Sequence, residues 1–232
     1  MKKDGWYKLF LFLAFLAVWI WAAINPKYYD GWLLENYLVF IFVPLILIAA
    51  IYFKLSNLSY TLITIFMISH VIGSHYTYAE VPFGYVLQDW FGSTRNMYDR
   101  LIHFSFGFLL AYPVREVFMR LSNSKGFWSY YLPIELTLAF SAIYEIIEWL
   151  AAANVDPSAG LAFLGSQGDI WDAQKDMLVA GIGAHVAMLT TFIFKFSIDK
   201  NTIKEIKESF KIPKGDKPLG EVKFMELIKK KR

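Results

Sequence analysis

The sequence predicts an all-α protein, a polytopic membrane helical bundle of six transmembrane helices with the N and C termini cytoplasmic. Three observations predict it. Of 232 residues, 56% are hydrophobic and 19% aromatic, with a mean hydropathy of +0.40, against roughly 45–50% apolar in a soluble domain. Six apolar runs, each near the ~20 residues that cross ~30 Å of hydrocarbon, alternate with short polar connections. Lys and Arg are unevenly divided between alternate connections. The bundle is expected over residues 1–197, with a basic cytoplasmic tail over 198–232.

The first run, Trp6–Ile24, has Lys2, Lys3 and Lys8 at its start, as a signal peptide would. It is longer than an ordinary signal core, rich in Trp and Phe, and lacks a small-x-small cleavage site, so it is read as a retained helix. The remaining runs are Leu34–Phe53, Leu58–Tyr78, Leu101–Met119, Tyr130–Ala153 and Ala173–Phe196. Lys2, Lys3, Lys8, Lys54, Arg115, Arg120, Lys125 and the tail fall on one side; Lys27, Arg95, Arg100 and Lys175 fall on the other. The first side is therefore expected to be cytoplasmic. Trp6, Trp32, Trp90, Trp128, Trp149 and Trp171 lie near run ends, where an amphipathic ring suits the interface. From Asp199 onward eleven Lys and Arg face six Asp and Glu, giving the tail +5 and the rest of the chain −2. Such a tail suits an anionic cytoplasmic membrane surface. Its first part, with Ile203, Ile206 and Phe210, reads as a surface helix that ends before Pro213.

Composition also excludes. There is no cysteine, so disulfides and thiolate metal sites are ruled out, and any metal must use imidazole nitrogen and carboxylate oxygen. No basic groove suggests nucleic acid. Phosphate loops, nucleophile elbows and His-Glu-x-x-His pairs are absent, as is an internal repeat of the kind many transporters carry.

What remains is a set of ionisable residues at the run ends that should share one side of the bilayer, where charge is expensive and therefore suggests a site. Asp99 and His103 are four apart, so they lie ~40° apart on one helical face and about 6 Å apart along the axis. That spacing suits one divalent ion, or a carboxylate orienting an imidazole base; an acid at a helix start with Arg100 paired locally is the plain alternative. Glu145 and Glu148 share a face in apolar sequence, which calls for a cation, an Arg or a shared proton. Gly165–Asp176 is the most polar segment: Asp169 can cap the following helix, Asp172 and Asp176 share a face, and Lys175 can neutralise a neighbour or hold an anion. His70 can bond between helices or ligate; His75, nearer the interface, is the preferred ligand of the two. Glu35 reads first as an ordinary helix-start acid, and His185 as packed against a partner helix beyond the site.

The segments Tyr98–Phe104, Tyr144–Trp149 and Gly168–Met177 together resemble the YjdF-like bacterial inner-membrane proteins over about residues 5–196. The resemblance implies a multi-pass protein of the bacterial inner (cytoplasmic) membrane and no particular reaction. A fainter similarity runs to VanZ-like membrane proteins, on Asp99, His103, Phe104, Glu145, Glu148, Asp172 and Asp176. There the chain departs, with Asp-Ala-Gln-Lys-Asp in place of an Asp followed by Asn near a Gly.

The expectation is an outward-facing cavity binding a divalent metal through His75, Asp99, His103, Glu145, Glu148, Asp172 and Asp176. Asp99, His103, Glu145 and Asp172 would serve catalysis, and Arg100 and Lys175 would hold an anionic group of a lipid-linked or envelope substrate. Metal-dependent hydrolysis or group transfer would follow. The alternatives are a proton- or cation-coupled transporter using the same acids, and a structural or sensory protein whose acids are all matched by bases or amides.

Overall fold

A computed structural model describes residues 3–155, 160, 164–212 and 226–230. Its helices are α1 (Lys3–Ala23), α2 (Tyr29–Tyr52), α3 (Asn57–Tyr76), α4 (Pro82–Phe91), α5 (Tyr98–Leu121), α6 (Trp128–Ala153), α7 (Asp172–Ile198) and α8 (Thr202–Glu208). Six of them, α1, α2, α3, α5, α6 and α7, are long and apolar enough to span a bilayer. Their outward faces carry Ile41, Ile48, Ile51, Leu189 and Phe194, all exposed, as lipid-facing helices require. Of the predicted interface tryptophans, Trp6, Trp90, Trp128, Trp149 and Trp171 are exposed; Trp32 is buried against Trp19.

Helix α5 is the hub, packed on α3, α6 and α7. Its closest partner is α7, which runs parallel to it. At Gly107 an added methyl would collide with the Ala180 carbonyl, and at Gly183 with the Phe104 carbonyl. The backbones therefore touch, and Ala111, Ala180 and Ala184 are fully buried along the same seam. Small residues permit this approach where no hydrophobic drive separates helix from lipid. The seam also sets a register: Asp99, His103 and Gly107 climb α5 four residues at a time beside Asp172, Asp176 and Ala180 on α7. A second cluster of Phe15, Val39, Phe66, Val71 and Ile102 joins α1, α2, α3 and α5.

Two elements differ from expectation. Helix α3 ends at Tyr76, where Thr77 takes φ 61°, and the chain folds back so that the Tyr78 ring covers Gly73. Helix α4 lies between the third and fourth predicted runs, where the sequence reading assigns no element. It starts on Pro82, is capped by Gly92 in the left-handed region, and exposes Phe83, Tyr85, Val86, Trp90 and Phe91 while burying Leu87. That amphipathic pattern suits a helix lying along a membrane interface. Beyond α7, α8 docks on the start of α6: the Phe127 N–H donates to Ser209 Oγ, the Trp128 indole N–H donates to the Ser209 carbonyl, and Phe210 packs on both rings.

Candidate functional site

The α5–α7 register brings the acids of two helix starts face to face. Arg100, on the first turn of α5, is buried against α7, where it pairs with Asp176 through Nη1 and with Asp172 through Nη2 at 2.6 Å. Its Nη2 also reaches Asp169 at 3.3 Å. Arg95, in the loop before α5, pairs with Asp172, reaches Asp99 at 3.3 Å and donates to the Gly165 carbonyl. Asp172 is thus held by two guanidiniums. Lys175 bonds Asp169 at 2.7 Å. That hydrogen bond, with the Trp171 N–H, holds the Asp169 carboxyl below its ordinary range.

One helical turn deeper the pattern changes. His103 Nε2 stands 3.6 Å from Asp99 Oδ1 and 3.5 Å from Glu145 Oε1. Donor atoms of Asp99, His103 and Asp176 lie within 4.8 Å of one another. Asp176 Oδ1 and Glu145 Oε1 are buried without a hydrogen-bond partner. Two donors bound to one small divalent ion at about 2.1 Å stand roughly 3.0–3.6 Å apart. The separations around His103 match that spacing and exceed hydrogen-bond length. Glu148 follows one turn beyond Glu145 on α6.

Behind this group lies a second polar layer. The Tyr144 hydroxyl donates to Glu35 at 3.1 Å. His70 Nε2 lies 3.2 Å from the Glu35 carbonyl, and its Nδ1 lies 2.5 Å from the Tyr78 hydroxyl. Burial pushes the Tyr78 phenol up, so it donates, leaving the other ring nitrogen to carry the proton toward the Glu35 carbonyl. His70 is therefore an inter-helix hydrogen-bonding residue.

The predicted residues fall into three groups. Asp99, His103, Glu145 and Asp176 come together, and Glu148 follows Glu145 one turn along α6. Asp172, Arg100 and Lys175 are beside them but engaged in ion pairs, so Asp172 is an anchor for arginines and not a free base. His75 is elsewhere: its Nδ1 contacts the Ala22 carbonyl at 3.1 Å and its ring packs on Trp21, because α3 turns that face toward α1. His185 also departs from expectation. It is exposed on α7 and bonds the Gly181 carbonyl of its own helix. Sequence reasoning missed Arg95 as an anchor, and Glu35, read as an ordinary helix-start acid, is buried and accepts from the Tyr144 hydroxyl; no local spacing signals either contact.

Comparisons with known proteins agree with this architecture. Residues 7–196 match the family described as Predicted membrane protein (DUF2238). The chain is 41% identical over 183 residues to Inner membrane protein YjdF of Escherichia coli (strain K12), covering 78% of this chain and 85% of that protein. No solved structure matches. The VanZ-like outline gains nothing from these matches. The chain is a multi-pass inner-membrane protein, and it belongs to the DUF2238 family.

Proposed function

We propose that the protein binds a divalent cation among Asp99, His103, Asp176 and Glu145, and uses it in hydrolysis or group transfer on an anionic, lipid-linked or envelope substrate. The observation that carries the reading is a buried to half-buried group of acid and imidazole donors around His103, with two carboxylate oxygens lacking any hydrogen bond. An imidazole and oxygens without thiolate suit a borderline or hard divalent ion. When bound, such an ion supplies Lewis-acid polarisation and an acidified water. Arg100 orients Asp176 by occupying one of its oxygens and leaving the other inward. Glu145, beside His103, is placed to accept a proton. The sidedness of Lys and Arg supports placing the site on the face away from the cytoplasm.

Metal analysis of detergent-purified protein tests this. The wild type should carry divalent metal near stoichiometry, and Asp99→Ala and His103→Ala should lose it. Wild type without metal, even after incubation with Zn²⁺, Mn²⁺ or Mg²⁺, would remove the proposal. The bond from Tyr144 to Glu35 extends the acidic track to α2, and on that observation a cation- or proton-coupled transporter is the second reading. Uptake into proteoliposomes separates the two.

A further inference from the structure

The acidic group has a basic mouth. A cavity of about 420 Å³ opens beside it, lined by Ser93, Thr94, Arg95, Arg100 and Lys175, with Asp169 as the acid in its wall. The two loops that form the mouth are fastened together, since the Gln167 amide both accepts from the Asn96 N–H and donates to the Asn96 carbonyl. Arg95 is the informative wall residue. Its side chain is only 10% exposed, its two terminal nitrogens serve Asp172, Asp99 and the Gly165 carbonyl, and its Nε is buried with no hydrogen-bond partner. A sheltered guanidinium N–H left unmade is costly, so it marks a position where an acceptor belongs. Around it stand further donors. Ser93 Oγ accepts from the Arg95 N–H, which leaves its own hydrogen free, Thr94 is exposed, and Lys175 is 52% exposed.

We infer that this mouth is a subsite for a phosphate group, taken through Arg95 Nε, Lys175 Nζ and the hydroxyls of Ser93 and Thr94. It deepens the cation reading but uses different atoms. A tetrahedral oxyanion offers several acceptors at once to a guanidinium, an ammonium and two hydroxyls. The carboxylates beneath repel it, so a cation bound among them would strengthen phosphate binding, and phosphate would strengthen cation binding by the same factor. The phosphate can come free or on a lipid headgroup; the mouth's chemistry is common to both.

The test is calorimetric titration of inorganic phosphate into detergent-purified protein, first stripped with EDTA and then with Mg²⁺ or Mn²⁺. Saturable binding in either state is expected, tightened tenfold or more by the cation. Lys175→Gln and Thr94→Val, both on exposed positions, should each weaken it several-fold. Dihexanoyl phosphatidic acid titrated in parallel distinguishes the sources: binding at least tenfold tighter than phosphate assigns a lipid headgroup, and equal binding assigns a soluble phosphoryl group. No saturable binding of either ligand in either state overturns the subsite, as does binding that both variants leave unchanged. Metal content separately decides the cation site.

Discussion

The two ends of the bundle solve the same problem in opposite ways. At the end where α3 and α6 begin, carboxylates are engaged: Glu116 Oε2 accepts from the Ser56 N–H at 2.9 Å and from the Ser59 hydroxyl at 2.8 Å, and Glu205 pairs with Lys195. Arg115 lies over the Tyr130 ring at 4.6 Å, and the polar atoms left over there among the described residues, Arg115 Nε, Tyr60 Oη and Tyr130 Oη, include donor hydrogens. At the opposite end the atoms left over include the carboxylate oxygens of Glu145 and Asp176. Acids there outnumber the guanidiniums and ammonium among the described residues. A polar layer meant only to lock helices would resemble the first end. The second keeps unspent acceptor capacity, which is what a cation site requires.

The largest effect that would break this contrast is at Arg100. Arg100→Ala leaves Asp176 buried without its guanidinium partner and takes one of two from Asp172, and loss of one partner in a buried pair costs about 3–5 kcal/mol. Reversible unfolding in mixed micelles should show it; a change below about 1 kcal/mol would mean that these pairs are solvated. Next in size is a paired comparison. A cation at a hundred times its Kd stabilises by about 2.7 kcal/mol, seen as a rise in Tm. Glu145→Gln should abolish most of that rise without lowering stability in EDTA. Glu116→Gln at the other end should cost about 1 kcal/mol and leave the cation response intact. Equal responses in the two variants would erase the distinction between the ends.

The smallest effect concerns pH. Lys175 holds the Asp169 carboxyl below its ordinary value, so the pair's contribution is complete above that ordinary value and is lost as pH falls through the lowered one. The acid limb of the Tm profile should therefore flatten in Lys175→Met, while the profile near neutrality stays unchanged. An unaltered acid limb would show the pair to be without energetic consequence.

How much of this was legible in the residues follows from distance along the chain. Asp99 with His103, and Glu145 with Glu148, lie within one turn of one helix, so helical period alone places them together. The six spans followed from run length. His75 was misplaced because its fate depends on which face of α3 meets α1, and no local spacing carries that. Arg95 sits in a loop whose path is set by the Gln167 clasp on Asn96, seventy-odd residues apart in sequence, so its role appears only with the fold. Helix α4 was hidden because ten residues are too few to stand out in a hydropathy reading, though Pro82 and Gly92 bracket it in the manner of helix ends.

Where α5 and α7 meet at Gly107 and Gly183, main chain rests on main chain, and there is no intervening side chain to compress or rotate. The gap between the proposed ligands on the two helices is accordingly inherited from peptide dimensions. A guest of larger ionic radius would have to prise the pair apart against that contact, whereas a small one enters without rearrangement. Discrimination between magnesium-sized and calcium-sized ions would then be decided a full turn below the ligands, by residues that never touch either.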